Sequence, residues 1–139
     1  MPIVLKTQTL QTPPRGFVGI TNIVQYSINE VIEELNLDYT KFEASVTVFC
    51  PHSTAAITLG ENADHDVQDD FMLALDRAFP HAGDYKHDNS PAHMKTSVIG
   101  SSEALLVHQG QLMLGHMQAV YLVEFDGPRT RTIHIQISY

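Results

Sequence analysis

The sequence predicts an α+β domain: a mostly antiparallel, curved sheet, sandwich-like or barrel-like, covered by two helices. Two observations carry this expectation. Apolar residues recur at intervals of three and four in two separate stretches and alternate with polar residues in several others. The alternating stretches of the C-terminal half also follow one another through short turns, which join antiparallel rather than parallel strands. At 139 residues the chain is expected to be a single domain over 1–139. That length buries about two thirds of the unfolded surface without a disulfide or metal staple.

Residues 3–10 (IVLKTQTL) are rich in β-branched side chains and stop before Thr12, Pro13 and Pro14, which cannot continue a ladder. The period then changes. Ile20, Ile23, Val24, Ile28, Val31, Ile32 and Leu35 lie on one side of a helix over 21–36, with Glu30, Glu33 and Glu34 on the other. Phe42 to Cys50 alternates as a half-buried strand that Pro51 ends, and Ala55 to Leu59 offers another. Asp64 is placed to cap a second helix carrying Val67, Phe71, Ala74, Leu75 and Ala78 on one face and stopped by Pro80. From His81 to Ala92 the chain reads as a polar connection, of a length that often carries function. Beyond Gly100 the segments SEALLVH, QLMLG, QAVYLVEFD and TRTIHIQIS read as strands, with turns at Gln109-Gly110 and a corner at Gly127-Pro128.

A formal charge of −8, with eight Lys and Arg in all, argues against nucleic acid, whose binding draws on cations laid against phosphates. A small anionic or phosphorylated substrate remains open if those few cations gather locally. The single cysteine, Cys50, sits in the apolar run SVTVFCP and behaves as a small hydrophobe. No apolar run approaches the length of a membrane span, and MPIVLKTQ has no basic leader, so the cytoplasm is the expected location.

The stretch from His52 to His93 gathers five of the eight histidines among many carboxylates. His52, His87 and His93 are candidate ligands for a divalent metal, zinc or magnesium, although their spacing is unspecific. Glu61, Asp66 and Asp70 are candidate catalytic carboxylates, with Asp66 and Asp70 four apart on one helical face; the plainer reading is a solvated acidic helix start. Lys95, Ser97 and Arg129 are candidate anion contacts, without any Walker motif or dinucleotide fingerprint.

Three motifs in order, PHSTAAITLGENADHDVQDD, YKHDNSPAHMKTSVIGSS and LGHMQAVYLVEFDGPR, together resemble the YjbQ-like family, also called the secondary thiamine-phosphate synthases. The resemblance covers nearly the whole chain. It implies a compact α+β subunit, commonly a homotrimer, with a histidine-lined site for a metal or anion. The positions it carries over are His52, Glu61, Asn62, Asp66, Asp70, His87, Asp88, His93, Lys95, Gln118, Asp126 and Arg129. This chain departs from the family pattern with Gly60 for Asn, His65 for Pro, Pro91 for Asp, and Gly115-His116-Met117-Gln118 for Gly-Thr-Trp-Gln. The activity implied is weak joining of a hydroxymethylpyrimidine diphosphate to a thiazole phosphate. The rival expectations are a hydrolase using a histidine-bound metal and a non-catalytic oligomer that binds a metal or anion.

Overall fold

The structure, a computed structural model, describes residues 2–139. Strands β1 (Ile3–Gln11), β2 (Gly16–Gly19), β3 (Ala44–Phe49), β4 (Ala55–Glu61), β5 (Ser102–His108), β6 (Gln111–Leu112), β7 (Gln118–Glu124) and β8 (Thr130–Ser138) form two sheets. One has the order β1-β8-β3-β5-β6 and the other β2-β7-β4. Every pairing between neighbours is antiparallel, as the short turns of the sequence predict.

The sheets enclose one core. Val46, Val48, Leu105, Val107, Ile133, Ile135 and Ile137 point inward from the five-stranded sheet, toward Ala55, Ile57, Val120 and Leu122 of the other. Helix α1 (Thr21–Glu34) joins them through Val24, Ile28, Val31 and Ile32, the stripe that its period of three and four predicts. Strand β7 is buried from Ala119 to Glu124 on both faces. Its far face belongs to a second cluster of Ala119, Tyr121 and Val123 with Phe17, Met72 and Phe125, beneath helix α2 (His65–Ala78).

Among the described residues there are three α-helices rather than two, because residues 90–99 form α3 (Ser90–Ile99) inside what reads as connection and turn. Its buried positions are Pro91, Ala92, Lys95 and Thr96, spaced as one helical face. Half of that face is polar, so a search for apolar periodicity passes over it. Pro91 fits at the start of the helix, where the missing N–H would lack a partner in any case. The strand expected over QLMLG shrinks to Gln111–Leu112.

The five-stranded sheet is open on its outer face. In register across β1, β8, β3 and β5 stand the rows Ile3, Ser138, Ser45, Leu106 and Leu5, Gln136, Thr47, Ala104, and then Thr7, His134, Phe49, Ser102. Ile3, Leu5, Phe49 and Leu106 are 60, 57, 42 and 68% exposed.

Candidate functional site

Where β4 begins and β7 finishes, the β3–β4 turn, the start of α3 and the β7–β8 turn meet around an open cleft of about 350 Å³. Its floor is Arg131, on the inward side of β8 and 3% exposed. The guanidinium donates from Nε to Glu124 Oε1 at 2.8 Å and from Nη2 to Glu124 Oε2 and to Thr54 Oγ1. Glu124, fully buried, also accepts from the Thr12 hydroxyl and the Asp126 N–H. Burial pushes its carboxyl upward, but the Arg131 and Thr12 hydrogen bonds outweigh that and hold it below the usual carboxylate range. The same bond raises Arg131, so both stay charged. Among the described residues Nη1 of Arg131 has no hydrogen-bond partner, which leaves donors for a ligand in the cleft that Arg131 lines.

His52 forms part of the wall. After Phe49 pairs with His134, β3 leaves the ladder, and the Thr132 N–H that loses its strand partner donates instead to His52 Nε2 at 2.9 Å. Nε2 therefore carries the lone pair and Nδ1 the proton. Burial, reinforced by the nearby Arg131 charge, lowers the pKa of His52 and keeps the ring neutral. His52 offers the cleft an N–H, not a lone pair.

The other wall is the β7–β8 turn. Arg129 donates to the Asp126 carbonyl at 2.7 Å and to its Oδ2 at 3.1 Å, and Asn89, just before α3, donates to the same oxygen at 3.1 Å. The Asn89 hydrogen bond, with help from Arg129, holds the Asp126 carboxyl below its ordinary value. Gly127 lets this turn press on the β1–β2 connection: a Cβ there would lie 2.1 Å from the Pro13 carbonyl oxygen, and the Gly127 N–H donates to Pro14. His93, exposed on α3, lines the cleft as well.

The candidate residues of the sequence thus divide. The cleft holds His52, His93 and Arg129. His87 stands exposed on the connection before α3, outside the cleft lining, so the expected triad of imidazoles does not assemble there. Lys95 is not among the residues that line the cleft: it is 1% exposed, donates to Asp76 of α2 at 2.7 Å, and sits 5.8 Å from the centre of the Phe125 ring. Ser97 is exposed further along α3, outside the cleft lining. Asp66 and Asp70 lie exposed on α2 and line none of these cavities. Glu61 and Gln118 face each other at the opposite end of the β4–β7 pair, seven residues from the cleft.

The donor set of the cleft does not fit a metal within one chain. The free lone pair of His52 is taken by Thr132, and two guanidinium groups line the same space. Among the described residues no three His, Cys, Asp or Glu side chains come together to hold an ion. What the cleft does present is a set of N–H donors on two guanidinium groups, each with a carboxylate partner, Glu124 and Asp126, so that the fixed donors rather than a net charge suit an anion.

The residues that sequence reading missed are Arg131, Glu124 and Asn89. Arg131 was legible, since in TRTIHIQIS it shares parity with Ile133, Ile135 and Ile137 and so falls on the core side of its strand. Glu124 had a similar signal at the end of the buried run QAVYLVE. Nothing local marked Asn89.

Residues 6–139 match the family model described as UPF0047 protein YjbQ-like. UPF0047 protein YugU of Bacillus subtilis is 38% identical over 137 residues, spanning 96% of this chain and 98% of the relative. The crystal structure of an uncharacterised YjbQ/UPF0047 protein of Clostridium acetobutylicum superposes with a TM-score of 0.85 at 41% identity, over 95% of this chain and 98% of the other. A conserved hypothetical protein of Thermus thermophilus gives 0.82 at 33% identity, over 94% and 97%.

Proposed function

The chain belongs to the YjbQ-like UPF0047 family, and from that premise we propose that it is an enzyme whose cleft holds the phosphate end of a small phosphorylated substrate. The observation that carries this reading is the buried Arg131, fixed by Glu124 at the base of a cleft that Arg129 and the two imidazoles complete. A guanidinium locked in place reorganises little when charge develops against it, the condition for electrostatic stabilisation of a leaving group.

The reaction that suits this cleft is a transfer of the thiamine-phosphate-synthase kind. The bond between the pyrimidine methylene carbon and the diphosphate oxygen breaks, and its electron pair leaves with pyrophosphate. The thiazole nitrogen then forms the new C–N bond. Arg129, Arg131 and the His52 Nδ1–H would take up the charge that gathers on the departing oxygens, with His93 at the wall as a further donor. The metal-hydrolase alternative finds no group of three candidate ligands among the described residues.

The test is calorimetric titration with pyrophosphate and with inorganic phosphate, beside an assay of pyrophosphate release from hydroxymethylpyrimidine diphosphate and thiazole phosphate. Loss of one charged hydrogen bond in Arg129→Ala should weaken pyrophosphate binding by roughly ten- to a hundredfold. Pyrophosphate that binds Arg129→Ala and His93→Ala as tightly as it binds the parent would end this assignment. Binding without release would leave the non-catalytic reading in its place.

Self-association into a homotrimer is part of the same proposal, and the open sheet face supports it. The outward positions of β1, β8, β3 and β5 bear no Asp, Glu, Lys or Arg. Copies carrying −8 each repel, and a face free of fixed charge is where that repulsion costs least.

A further inference from the structure

At the far end of the β4–β7 pair lies a second cavity, of about 260 Å³, between the ends of β2 and β4 and the starts of α1 and β7. Along the seven residues of β4 it is about 20 Å from the phosphate cleft, so it is not a lobe of that site. Gly19, Thr21, Asn22, Asn62, Gln118, Ala119 and Tyr121 line it, and none of them carries a charge.

Three of its polar side chains, Gln118, Asn62 and Thr21, are oriented from behind, whereas Asn22 is left to turn either end of its amide to a ligand. The Gly115 N–H donates to Gln118 Oε1 at 2.8 Å, and an N–H needs an oxygen, so the Gln118 amide must present its NH₂ on the other side. The Tyr121 hydroxyl shares its one hydrogen between the Glu61 carbonyl at 3.1 Å and Asn62 Oδ1 at 3.3 Å, an arrangement that turns the Asn62 NH₂ away from the tyrosine. Thr21 Oγ1 accepts the Val120 N–H at 2.8 Å, and its own hydrogen remains to be given. Two amide groups and a hydroxyl are therefore left as donors, while their acceptor atoms are already used inside the protein. Alanine 119 and the buried Tyr121 add apolar surface.

Such a set calls for a ligand that accepts hydrogen bonds. It does not call for an anion, since the cavity holds no cation and Glu61, Asp64 and Asp66 follow closely on the chain around Asn62. We propose that this cavity binds a neutral, carbonyl-bearing small molecule of about single-ring size, through the Gln118 and Asn62 amides. The volume accepts one ring with its substituents and falls short of most drug-sized pockets, which begin near 300 Å³. This site stands independently of the phosphate cleft and does not need it to be catalytic.

The experiment is a titration of uniformly ¹⁵N-labelled protein with uracil, a neutral ring with two carbonyls, watching the side-chain NH₂ signals of Asn62 and Gln118. Inorganic phosphate serves as the second probe. Uracil should shift both signals saturably, with a Kd on the order of 1 mM for so small a molecule, and phosphate should leave them in place. Gln118→Glu keeps an oxygen for Gly115 while removing the donor, and Asn62→Asp does the same for the contact with Tyr121. Each should weaken uracil about tenfold at unchanged melting temperature. If uracil at millimolar concentration moves neither amide, if phosphate moves them equally, or if both variants bind uracil like the parent, the proposal is overturned.

Discussion

The two ends of the β4–β7 pair differ in how their charges are held. At one end Arg131 and Glu124 are buried and tied to Thr12, Thr54 and the Asp126 backbone. At the other, Asp66 and Asp70 stand in solvent on α2, a helix with no buried residue, and the Asp66 N–H donates to the capping Asp64. In sequence the second group is the more conspicuous, because its carboxylates are close together and many. Density of charge along a chain thus says less about which charges the fold holds rigidly than a single charge placed where the strand period demands an apolar residue.

The sharpest way to break the comparison is to remove the buried carboxylate. Glu124→Ala strands Arg131 without its partner in the interior and should cost about 3–5 kcal/mol, a fall in melting temperature of roughly 10–20 °C. Pairing it with Arg131→Met removes the stranded charge and should recover most of that stability, while pyrophosphate binding stays lost. Scanning calorimetry reads the first effect and titration the second. A Glu124→Ala protein that melts with the parent would mean that the pair is solvated and the two ends are alike.

Much of the fold was legible because its signals are local. Residues 21–36 and the Asp64-capped helix have apolar faces at helical spacing, and the C-terminal strands alternate between short turns. Helix α3 was not, because Lys95 and Thr96 occupy half of its buried face, and Lys95 belongs there only by virtue of Asp76, nineteen residues earlier on another helix. The site was half legible for the same reason. His52, His93 and Arg129 stand at ends of elements and invite notice, whereas the role of His52 depends on a vacancy in the β8 ladder that appears only when β3 turns away. The separation of Glu61 and Gln118 from the histidines follows from the direction of β4, which motifs close in sequence do not reveal.

Asp76 provides an intermediate case. It accepts from both Arg15 (2.9 and 3.0 Å) and Lys95, and His81 Nε2 lies 3.3 Å away. Burial pushes its carboxyl upward, but the hydrogen bonds from Lys95 and Arg15 prevail and bring it to about 2. The folded value lies below the unfolded one of about 3.9, so the stabilisation is complete above that value and is lost as pH falls toward 2. It amounts to at most about 2–3 kcal/mol, and less because solvent reaches the partly exposed carboxyl. Urea midpoints at about pH 5 and pH 3 should therefore differ less in Asp76→Asn than in the parent. Equal differences would place the acid sensitivity elsewhere.

The smallest effect is expected where the sequence shows the most charge. Asp66→Asn with Asp70→Asn removes two exposed carboxylates from α2. Asp66 gives up a favourable place in the first turn, worth about 0.3–1 kcal/mol, while both substitutions relieve repulsion among Asp64, Asp66, Asp69 and Asp70, which stand within seven residues. The two contributions have opposite sign and similar size, so the net change should stay within about 0.5 kcal/mol. Pyrophosphate affinity should not move, since neither residue lines the cleft. The capping Asp64, whose carboxylate accepts the Asp66 N–H at 2.9 Å, is the control on the same helix: Asp64→Ala should cost about 1 kcal/mol. A double variant that loses pyrophosphate binding while keeping its stability would restore these carboxylates to the chemistry and dissolve the distinction between the two ends.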